Sequence, residues 1–152
     1  MLRVRAWKPI LTAACTAVLL WSTTAFGLKG KTMTEPTTAT VIERFSEAFN
    51  RQDADAVGAL LTDDTVFEDT SPAPDGQRIE GKEAVVAFWR SWFARNPGAR
   101  FEAEEVFVSG DRAAVRWVYR KIRNGVPWHL RGVDLYTVRD GKVAAKLAYI
   151  KG

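Results

Sequence analysis

Three titratable side chains stand where a small protein could use them for proton chemistry. Asp69 ends a short strand-like run, residues 65–69, and a loop rich in Pro, Gly and Asp follows it. Asp134 and Lys146 lie in two long strand-like runs near the C-terminus. A carboxylate in a hollow can take a proton next to a carbonyl group, and a neighbouring ammonium can steady the oxygen that becomes negative. Asp69, Asp134 and Lys146 are therefore the candidate catalytic residues.

The surroundings of Asp134 depend on which face of its strand points inward. Side chains alternate along a strand, so Asp134 shares a face with Trp128, Leu130, Gly132 and Tyr136. If that face turns toward the helices, burial among aromatic rings favours the neutral acid, which can donate a hydrogen bond to a carbonyl oxygen. In the alternative, Asp134 is a structural residue held by a neighbouring cation or amide.

The turn at Asp140-Gly141 decides whether Lys146 lies beside Asp134. A two-residue turn places Asp134 opposite Leu147, whereas a three-residue loop with a glycine bulge places it opposite Lys146. We expect the second register, in which Lys146 keeps Asp134 ionised as an acceptor or base and is itself the better electrophile for a carbonyl oxygen. That register also gathers four apolar residues on the opposite sheet face, which are Val133, Leu135, Leu147 and Tyr149. An exposed apolar patch of this kind predicts a homodimer formed through the sheet.

Asp69 has two interpretations that the sequence supports equally. It shares its strand face with Phe67, whereas Glu68 points away, so Asp69 can lie at the mouth of a hollow and act as a general base. In the alternative, its carboxylate caps the following loop through the amides of Thr70 or Ser71.

Three helices precede the long strands. Thr40 to Glu43 fits a capping box, and apolar residues at helical spacing follow as far as Phe49. A second short helix contains residues 56–61. A third has a long apolar stripe over residues 84–93, and Asn96-Pro97-Gly98 ends it.

The C-terminal half is a series of strands joined by two hairpin signals, Gly110-Asp111 and Asp140-Gly141. The predicted strands are Phe101 to Ser109, Arg112 to Lys121, Pro127 to Val138 and Lys142 to Ile150. Helices followed by a meander predict an α+β fold, a cone-shaped barrel in which the three N-terminal helices pack on a curved antiparallel sheet.

Aromatic residues are the candidate walls of the hollow inside such a cone, where they would bind a substrate. They are Phe45, Phe67, Trp89, Trp92, Trp117, Trp128 and Tyr136. The alternative is that these side chains simply fill a core, because aromatic rings bury a large area whatever their function.

The charge distribution argues against a nucleic-acid partner. The first 32 residues hold five of the 22 basic residues and none of the 18 acidic ones, so the remainder carries 17 basic against 18 acidic residues, about −1. No block of like charge stands out there, and a surface that tracks phosphates is unsupported. A small hydrophobic molecule is the expected partner, and neither a nucleic acid nor a membrane is expected.

The first 32 residues differ from the rest of the chain. A basic start, an apolar run of 12 residues and a stretch of small residues fit a secretory signal, and the run is too short to span a bilayer. The alternative is that residues 1–32 are not translated and that Met33 is the start. The protein is then cytoplasmic rather than secreted. Residues 33–39 are predicted as a disordered linker and residues 40–152 as the folded domain.

Several site classes lack the residues they need. From Met33 onward there is no cysteine, which excludes disulfides, thiolate metal sites and cysteine nucleophiles. His129 is the only histidine, lies out of phase with Asp134 and is predicted at the surface, so no metal site is expected. No glycine-rich phosphate loop occurs, and no cofactor is expected.

The order of elements resembles the nuclear transport factor 2-like superfamily, and within it the SnoaL-like polyketide cyclases and the ketosteroid isomerases. The resemblance covers about residues 38–150. It is carried by TDDTVFEDTSPAPDGQRIEGKEAVVAFW, which resembles the stretch from the second to the third helix, and by RGVDLYTVRDGKV, which resembles the penultimate hairpin.

The resemblance implies roles for individual residues. Asp69 matches the aspartate that shuttles a proton between carbons in the isomerases, and Asp134 matches the protonated aspartate that binds the enolate oxygen in those enzymes. The tyrosine of their first helix is replaced by Phe45, which cannot donate a hydrogen bond. Arg131 and Asp134 have one residue too many between them for the Arg-x-Asp run of the related epoxide hydrolases, and Arg131 is expected on the opposite face.

Two hypotheses for function follow. In the first, a cofactor-free SnoaL-like enzyme binds a hydrophobic carbonyl compound and removes a proton next to the carbonyl, leading to isomerisation or an aldol-type cyclisation. In the second, the same fold is a non-catalytic ligand-binding or dimer-scaffold module, which the missing donor at Phe45 favours.

Overall fold

The computed structural model describes residues 35–151, which form three helices and one six-stranded sheet. The predictions of a leader or an untranslated segment at residues 1–32, and of a start at Met33, lie outside the described residues. Within residues 35–151, no helix has both the length and the apolar character needed to cross a membrane.

Helix α1, Thr38–Asn50, begins earlier than the sequence predicts. The side chain of Thr37 accepts a hydrogen bond from the Thr40 amide at 3.2 Å, so Thr37 and not Thr40 is the N-cap. Three threonines within four positions could serve as the cap, and propensity alone does not choose among them. Residues 38 and 39 consequently belong to the helix and not to the predicted linker.

Helices α2, Ala54–Ala59, and α3, Lys82–Arg95, occur where helical spacing predicts them. The Asp53 side chain caps α2 by accepting from the Ala56 amide at 2.9 Å. Val85, Trp89 and Phe93 recur at intervals of four on α3 and are all buried, so this stripe faces the sheet.

The sheet confirms the predicted α+β cone but is mixed and not wholly antiparallel. Its strand order is β2-β1-β6-β5-β4-β3, and the pairing of β1 with β6 is parallel. The first strand starts four residues before the predicted one, and the short second strand was not predicted. The strands are β1 Leu61–Glu68, β2 Arg78–Glu80, β3 Arg100–Ser109, β4 Arg112–Arg123, β5 Val126–Arg139 and β6 Lys142–Ile150.

Two extra residues interrupt the antiparallel ladders. Glu104 is unpaired in β3, where the register with β4 shifts, and Ala144 is unpaired in β6, where the register with β5 shifts. Extra residues of this kind bend a strand and increase its twist, which curves the sheet around the helices.

Aromatic rings occupy the space between the helices and the inner face of the sheet. Phe49 of α1 contacts Trp89, Phe93 and Phe101, with ring centroids 4.6, 4.9 and 5.1 Å apart. Burying one such side chain contributes about 1.5–3 kcal/mol. Asn50 joins α1 to β3, because its side chain exchanges two hydrogen bonds, of 2.8 and 2.9 Å, with the backbone of Phe101.

Candidate active site

The three candidate catalytic residues line one cavity between the helices and the inner face of the sheet. This cavity, termed the Asp69 cavity, has a volume of about 90 Å³. A smaller cavity of about 40 Å³, termed the Phe45 cavity, adjoins it and shares Asp134, Lys146, Trp117 and Phe101 as lining residues. The two cavities together are called the hollow.

Lys146 and Asp134 form a buried ion pair at the centre of the hollow. The Lys146 Nζ lies 2.8 Å from the Asp134 Oδ2, and the two side chains are only 9% and 5% exposed. The Tyr136 hydroxyl donates to the same carboxylate oxygen at 3.2 Å. The ammonium also lies 5.1 Å from the centre of the Phe67 ring and 5.6 Å from that of Trp89. Buried charges persist when they are paired and hydrogen-bonded in this way.

Neither predicted register of the last hairpin is correct. Asp140 and Gly141, with φ of 52° and 67°, form a two-residue turn, but the extra residue Ala144 then shifts the pairing. Asp134 lies opposite Ala148, and Lys146 lies opposite Tyr136. Because the observed register differs from the preferred one by two residues, Lys146 remains on the face of Asp134, as its diagonal neighbour.

Asp69 lies just beyond the end of β1, half-buried at the wall of the Asp69 cavity. Burial raises the pKa of its carboxyl above the ordinary 3.8, and the charge of Asp134 acts in the same direction. The Thr70 amide and the Lys146 ammonium oppose this rise. The two interpretations of Asp69 are therefore compatible, since the side chain faces the cavity and also interacts with the first amide of its loop.

The loop after β1 folds back and fixes the backbone of Asp69. The Asp69 amide donates to the Gln77 carbonyl at 2.9 Å. Gly76, with φ of +78°, packs so closely that a Cβ there would lie 1.8 Å from the Asp69 carbonyl oxygen. Glycine is required at this position both by its backbone conformation and by this contact.

Tyr136 carries a hydroxyl beside Phe45, and this hydroxyl donates its proton to Asp134 at 3.2 Å. The Phe45 and Tyr136 rings meet edge to face with centroids 5.7 Å apart. Burial raises the pKa of the Tyr136 hydroxyl well above 10, and the carboxylate of Asp134 adds to this. Tyr136 therefore remains a neutral donor. The sequence pattern predicted it only as a wall residue, although its position two residues after Asp134 on one strand face was the available signal.

The aromatic candidates divide between the two cavities, with one exception. Phe67, Trp89 and Trp92 line the Asp69 cavity, Phe45 and Tyr136 line the Phe45 cavity, and Trp117 lines both. Trp128 lines neither, so its prediction as a wall residue is corrected.

Trp128 lies near the start of β5, where it contacts the Tyr119 ring at 6.0 Å and faces a separate surface depression with Lys121. Sharing a strand face with Asp134 was not sufficient, because Trp128 is six residues away along the strand.

Several lining residues of the Asp69 cavity were not predicted. They are Thr70, Phe101, Tyr119, Leu130, Ala148 and Ile150. Tyr119 could have been found from the sequence, since it follows Trp117 by two positions on one strand.

The remaining polar residues stay away from the hollow. His129 lies at the surface depression beside Trp128 and lines neither cavity. Arg131 lies on the outer face, where it pairs with Glu104 at 3.0 Å, so the Arg-x-Asp geometry of the epoxide hydrolases does not occur. Across residues 35–151, no three His, Cys, Asp or Glu side chains converge closely enough to hold a metal ion.

The outer face of β5 and β6 carries the expected apolar patch. Val133 lies opposite Tyr149, and Leu135 lies opposite Leu147. Leu135 and Tyr149 are 42% and 52% exposed. These four residues are called the outer patch.

Comparison with known proteins agrees with this fold. The chain resembles an NTF2-like protein from Mesorhizobium loti at 41% identity, with 76% of this chain and 91% of that one covered and a TM-score of 0.66. A candidate polyketide cyclase from Sinorhizobium meliloti is 26% identical over 72% of this chain and 93% of its own, with a TM-score of 0.60. A protein of ketosteroid isomerase-like fold from Catenulispora acidiphila is 18% identical over 74% of this chain and 86% of its own, with a TM-score of 0.66, and shows the fold alone.

No protein of curated function is significantly similar to the chain in sequence. The family model of the SnoaL-like domain matches residues 42–146, which is most of the described chain and includes all three candidate catalytic residues. The chain therefore belongs to the SnoaL-like domain family.

Proposed function

We propose that this SnoaL-like protein is a cofactor-free enzyme that removes a proton next to the carbonyl group of a small hydrophobic compound. One observation carries the proposal: Asp69, a carboxyl with a raised pKa, lines the same cavity as the Lys146 ammonium. A base and an electrophile on one apolar cavity are what enolisation requires.

The step divides between the two residues. The Lys146 ammonium donates to the carbonyl oxygen, and the Asp69 carboxylate takes a proton from the adjacent carbon. The electrons of that C–H bond form a carbon–carbon double bond, while the carbonyl electrons move to the oxygen and give an enolate. Return of the proton to another carbon completes an isomerisation, and attack of the enolate carbon on a second carbonyl completes an aldol-type cyclisation.

Asp134 has a different role here from that of its isomerase counterpart. Its Oδ2 accepts from both Lys146 and Tyr136, so it acts as an acceptor that positions the ammonium. The electrophile in this proposal is therefore Lys146 and not a protonated Asp134. The raised pKa of Asp69 makes it a stronger base than an ordinary aspartate.

The size of the hollow limits the substrate. A cavity of roughly 150 Å³ holds one benzene molecule, and the Asp69 cavity of about 90 Å³ adjoins the Phe45 cavity of about 40 Å³, so the hollow accommodates about one six-membered ring. A steroid would require several aromatic side chains to move. Small ketones are thus the appropriate first probes.

The test is deuterium exchange into the α-carbons of acetone and cyclohexanone in D₂O, followed by NMR. We expect the wild type to accelerate exchange and Asp69→Asn to lose about 10²–10⁴-fold of that acceleration, because a positioned general base contributes this much. Asp75→Asn is the matched control, since Asp75 lies in the same loop but is exposed. Exchange that is unchanged in Asp69→Asn would exclude Asp69 as the base.

A non-catalytic ligand-binding module is the second candidate function. The presence of Phe45 in place of a donor and the small hollow both favour it. In that case wild-type protein binds a ketone without accelerating exchange, and Asp69→Asn changes neither property.

We further propose a homodimer formed through the outer patch. Side chains of both charges flank the patch. Arg116 pairs with Glu104 and Glu105, and Arg131 pairs with Glu104. A two-fold interface places each surface against its own copy, and a surface with both signs can complement itself.

Sedimentation velocity tests the dimer. We expect Leu135→Glu to give a monomer, because it places a charge inside the patch. Val126→Glu should leave the dimer intact, because Val126 is 63% exposed at the start of β5, outside the patch. A wild-type protein that sediments as a monomer at micromolar concentration contradicts the proposal.

A further inference from the structure

Two buried polar atoms on the wall of the hollow have no hydrogen-bonding partner among residues 35–151. They are the indole Nε1 of Trp117 and the Oδ1 of Asp134. Both residues are only 4% exposed, and both line the Asp69 cavity and the Phe45 cavity. Buried polar groups are nearly always hydrogen-bonded to protein, water or ligand, so two orphans on one cavity wall mark a position for a small bound molecule.

The two atoms belong to neighbouring positions on one face of the sheet. Trp117 of β4 lies opposite Gly132 of β5, and Asp134 follows Gly132 by two residues on the same face. Diagonal neighbours of this kind are within reach of an aromatic side chain.

Gly132 allows the indole to lie against the strand. A Cβ at Gly132 would lie 2.3 Å from the Trp117 Cζ2 and 2.3 Å from the Tyr149 carbonyl oxygen. The absence of a side chain at this one position therefore leaves room for the indole, whose Nε1 edge adjoins Cζ2, to lie against β5.

The chemistry of the two atoms is complementary. An indole N–H only donates, and an ionised carboxylate oxygen only accepts. A group that satisfies both must accept one hydrogen bond and donate another, which a water molecule does and which a ligand hydroxyl or enol oxygen does in its place, whereas an ether, a ketone or a hydrocarbon does not.

We propose that Trp117 and Asp134 Oδ1 recognise a hydroxyl group of the ligand, and hence that the substrate carries a hydroxyl or enol near its carbonyl. The inference rests on the proposed function and narrows it, because Oδ2 of the same carboxylate holds Lys146, the group assigned to the carbonyl oxygen. The Asp134 carboxylate thus acts on both oxygens of the ligand. Its Oδ2 positions Lys146, which donates to the carbonyl oxygen, and its Oδ1 accepts directly from the hydroxyl.

The test compares phenol with toluene, two rings of similar size of which only phenol donates and accepts. Binding to the wild type, to Trp117→Phe and to Trp92→Phe is measured by calorimetry. Trp92 is the control, because it lines the Asp69 cavity but its indole nitrogen is not among the orphaned atoms. We expect Trp117→Phe to weaken phenol binding about 3- to 10-fold, the effect of one hydrogen bond, and toluene binding less than about twofold.

Trp92→Phe is expected to change phenol and toluene binding by the same factor. Equal losses for phenol and toluene in Trp117→Phe overturn the proposal, as does the absence of phenol binding to the wild type at millimolar concentration.

A second measurement covers the case in which Trp117→Phe does not fold. In ¹⁵N-labelled wild-type protein, phenol should shift the Trp117 indole N–H resonance downfield and toluene should not; a resonance that responds equally to both overturns the proposal. Neither binding measurement depends on turnover. Selective phenol binding without deuterium exchange would contradict the proposed enzymatic function but support hydroxyl recognition by Trp117 and Asp134. Deuterium exchange without selective phenol binding would support the enzymatic function and contradict the hydroxyl recognition.

Discussion

Strand β5 carries an ion pair on each of its faces, and the two pairs have nearly the same length. On the inner face, Asp134 lies 2.8 Å from Lys146, and their side chains are 5% and 9% exposed. On the outer face, Arg131 lies 3.0 Å from Glu104, and their side chains are 46% and 27% exposed. Distance alone would rank the two pairs as equals.

Burial makes them different. Water and salt screen the outer pair, because both of its charged groups are solvated when they are apart. The outer pair therefore contributes little to the free energy of unfolding. The inner pair is largely shielded from water, so removing one member leaves a poorly compensated charge among aromatic rings. A buried pair of this kind is costly to keep and more costly to break, and its presence on a cavity wall is easier to explain by function than by stability.

Breaking the inner pair is expected to have the largest effect. Lys146→Met should lower the free energy of unfolding by about 3–5 kcal/mol, because Asp134 is then buried without a counter-charge. Lys146→Met combined with Asp134→Leu should recover most of that loss. Urea denaturation of the wild type, the two single variants and the double variant measures the coupling. Additive losses in the double variant would mean that the two charges do not stabilise each other.

Replacing Gly132, on the inner face of β5, should have an intermediate effect on stability. Gly132→Ala places a methyl group against the Trp117 ring and the Tyr149 carbonyl, and overpacking of this kind costs about 1–3 kcal/mol. Thermal unfolding measures the loss, and the indole N–H resonance of Trp117 reports whether the ring has moved. Unchanged stability would show that Trp117 can turn away from β5 freely.

Titration should distinguish the carboxyl at the hollow, Asp69, from the carboxyl of the outer pair, Glu104, by the direction of the pKa shift. Burial raises the pKa of Asp69 above 3.8, whereas the hydrogen bond from Arg131 lowers the pKa of Glu104 below 4.5. Carboxyl carbon NMR over a range of pH measures both. Because the folded state binds the Asp69 proton more tightly than the unfolded state, its contribution to stability is present at low pH and is lost as pH rises from about 3.8 through the raised pKa.

Two variants separate these contributions. Asp69→Asn should remove the loss of stability in that window, and the exchange reaction of the wild type should rise with pH over the same window as the base ionises. Glu104 acts with the opposite sign, since its contribution is present above 4.5 and is lost as pH falls through the lowered pKa. Glu104→Gln should remove that second loss. A lowered pKa at Asp69 or a raised pKa at Glu104 would contradict this comparison.

Breaking the outer pair should have the smallest effect. Arg131→Met leaves Glu104 exposed to water and still near Arg116, at 3.3 Å. We expect a change in the urea midpoint close to the experimental scatter, and one that disappears at high salt, on the order of 1 M NaCl. A loss that approaches that of Lys146→Met would mean that the outer pair lies inside the dimer interface and not at its rim.

Periodicity predicted most of what positions the site. Alternation along β5 correctly placed Asp134 and Tyr136 on one face and Arg131 on the other, because a strand has only two faces. Helical spacing located the stripe that contains Trp89 for the same kind of reason. The order of the elements along the chain then carried the family resemblance, which the match of residues 42–146 to the SnoaL-like domain confirms.

Features that depend on a single residue could not be predicted. Ala144 carries no mark of an unpaired residue, yet it shifts the register of the last hairpin and made both predicted pairings wrong. The position of Lys146 was nevertheless anticipated, since registers two steps apart place the same residues on the same face. The parallel pairing of β1 with β6 and the limited extent of the hollow at Trp128 depend on packing between distant parts of the chain, which local patterns do not contain.

The position of β6 in the sheet has a consequence for how the protein folds. It follows the other five described strands in the chain, yet it lies between β1 and β5 and joins the two halves of the described sheet. During synthesis, β1 with β2 and β3 to β5 can each pair early, but they remain separate until β6 has been made. A chain that stops before β6 would leave two unjoined sheet fragments with open edges, which are prone to aggregate.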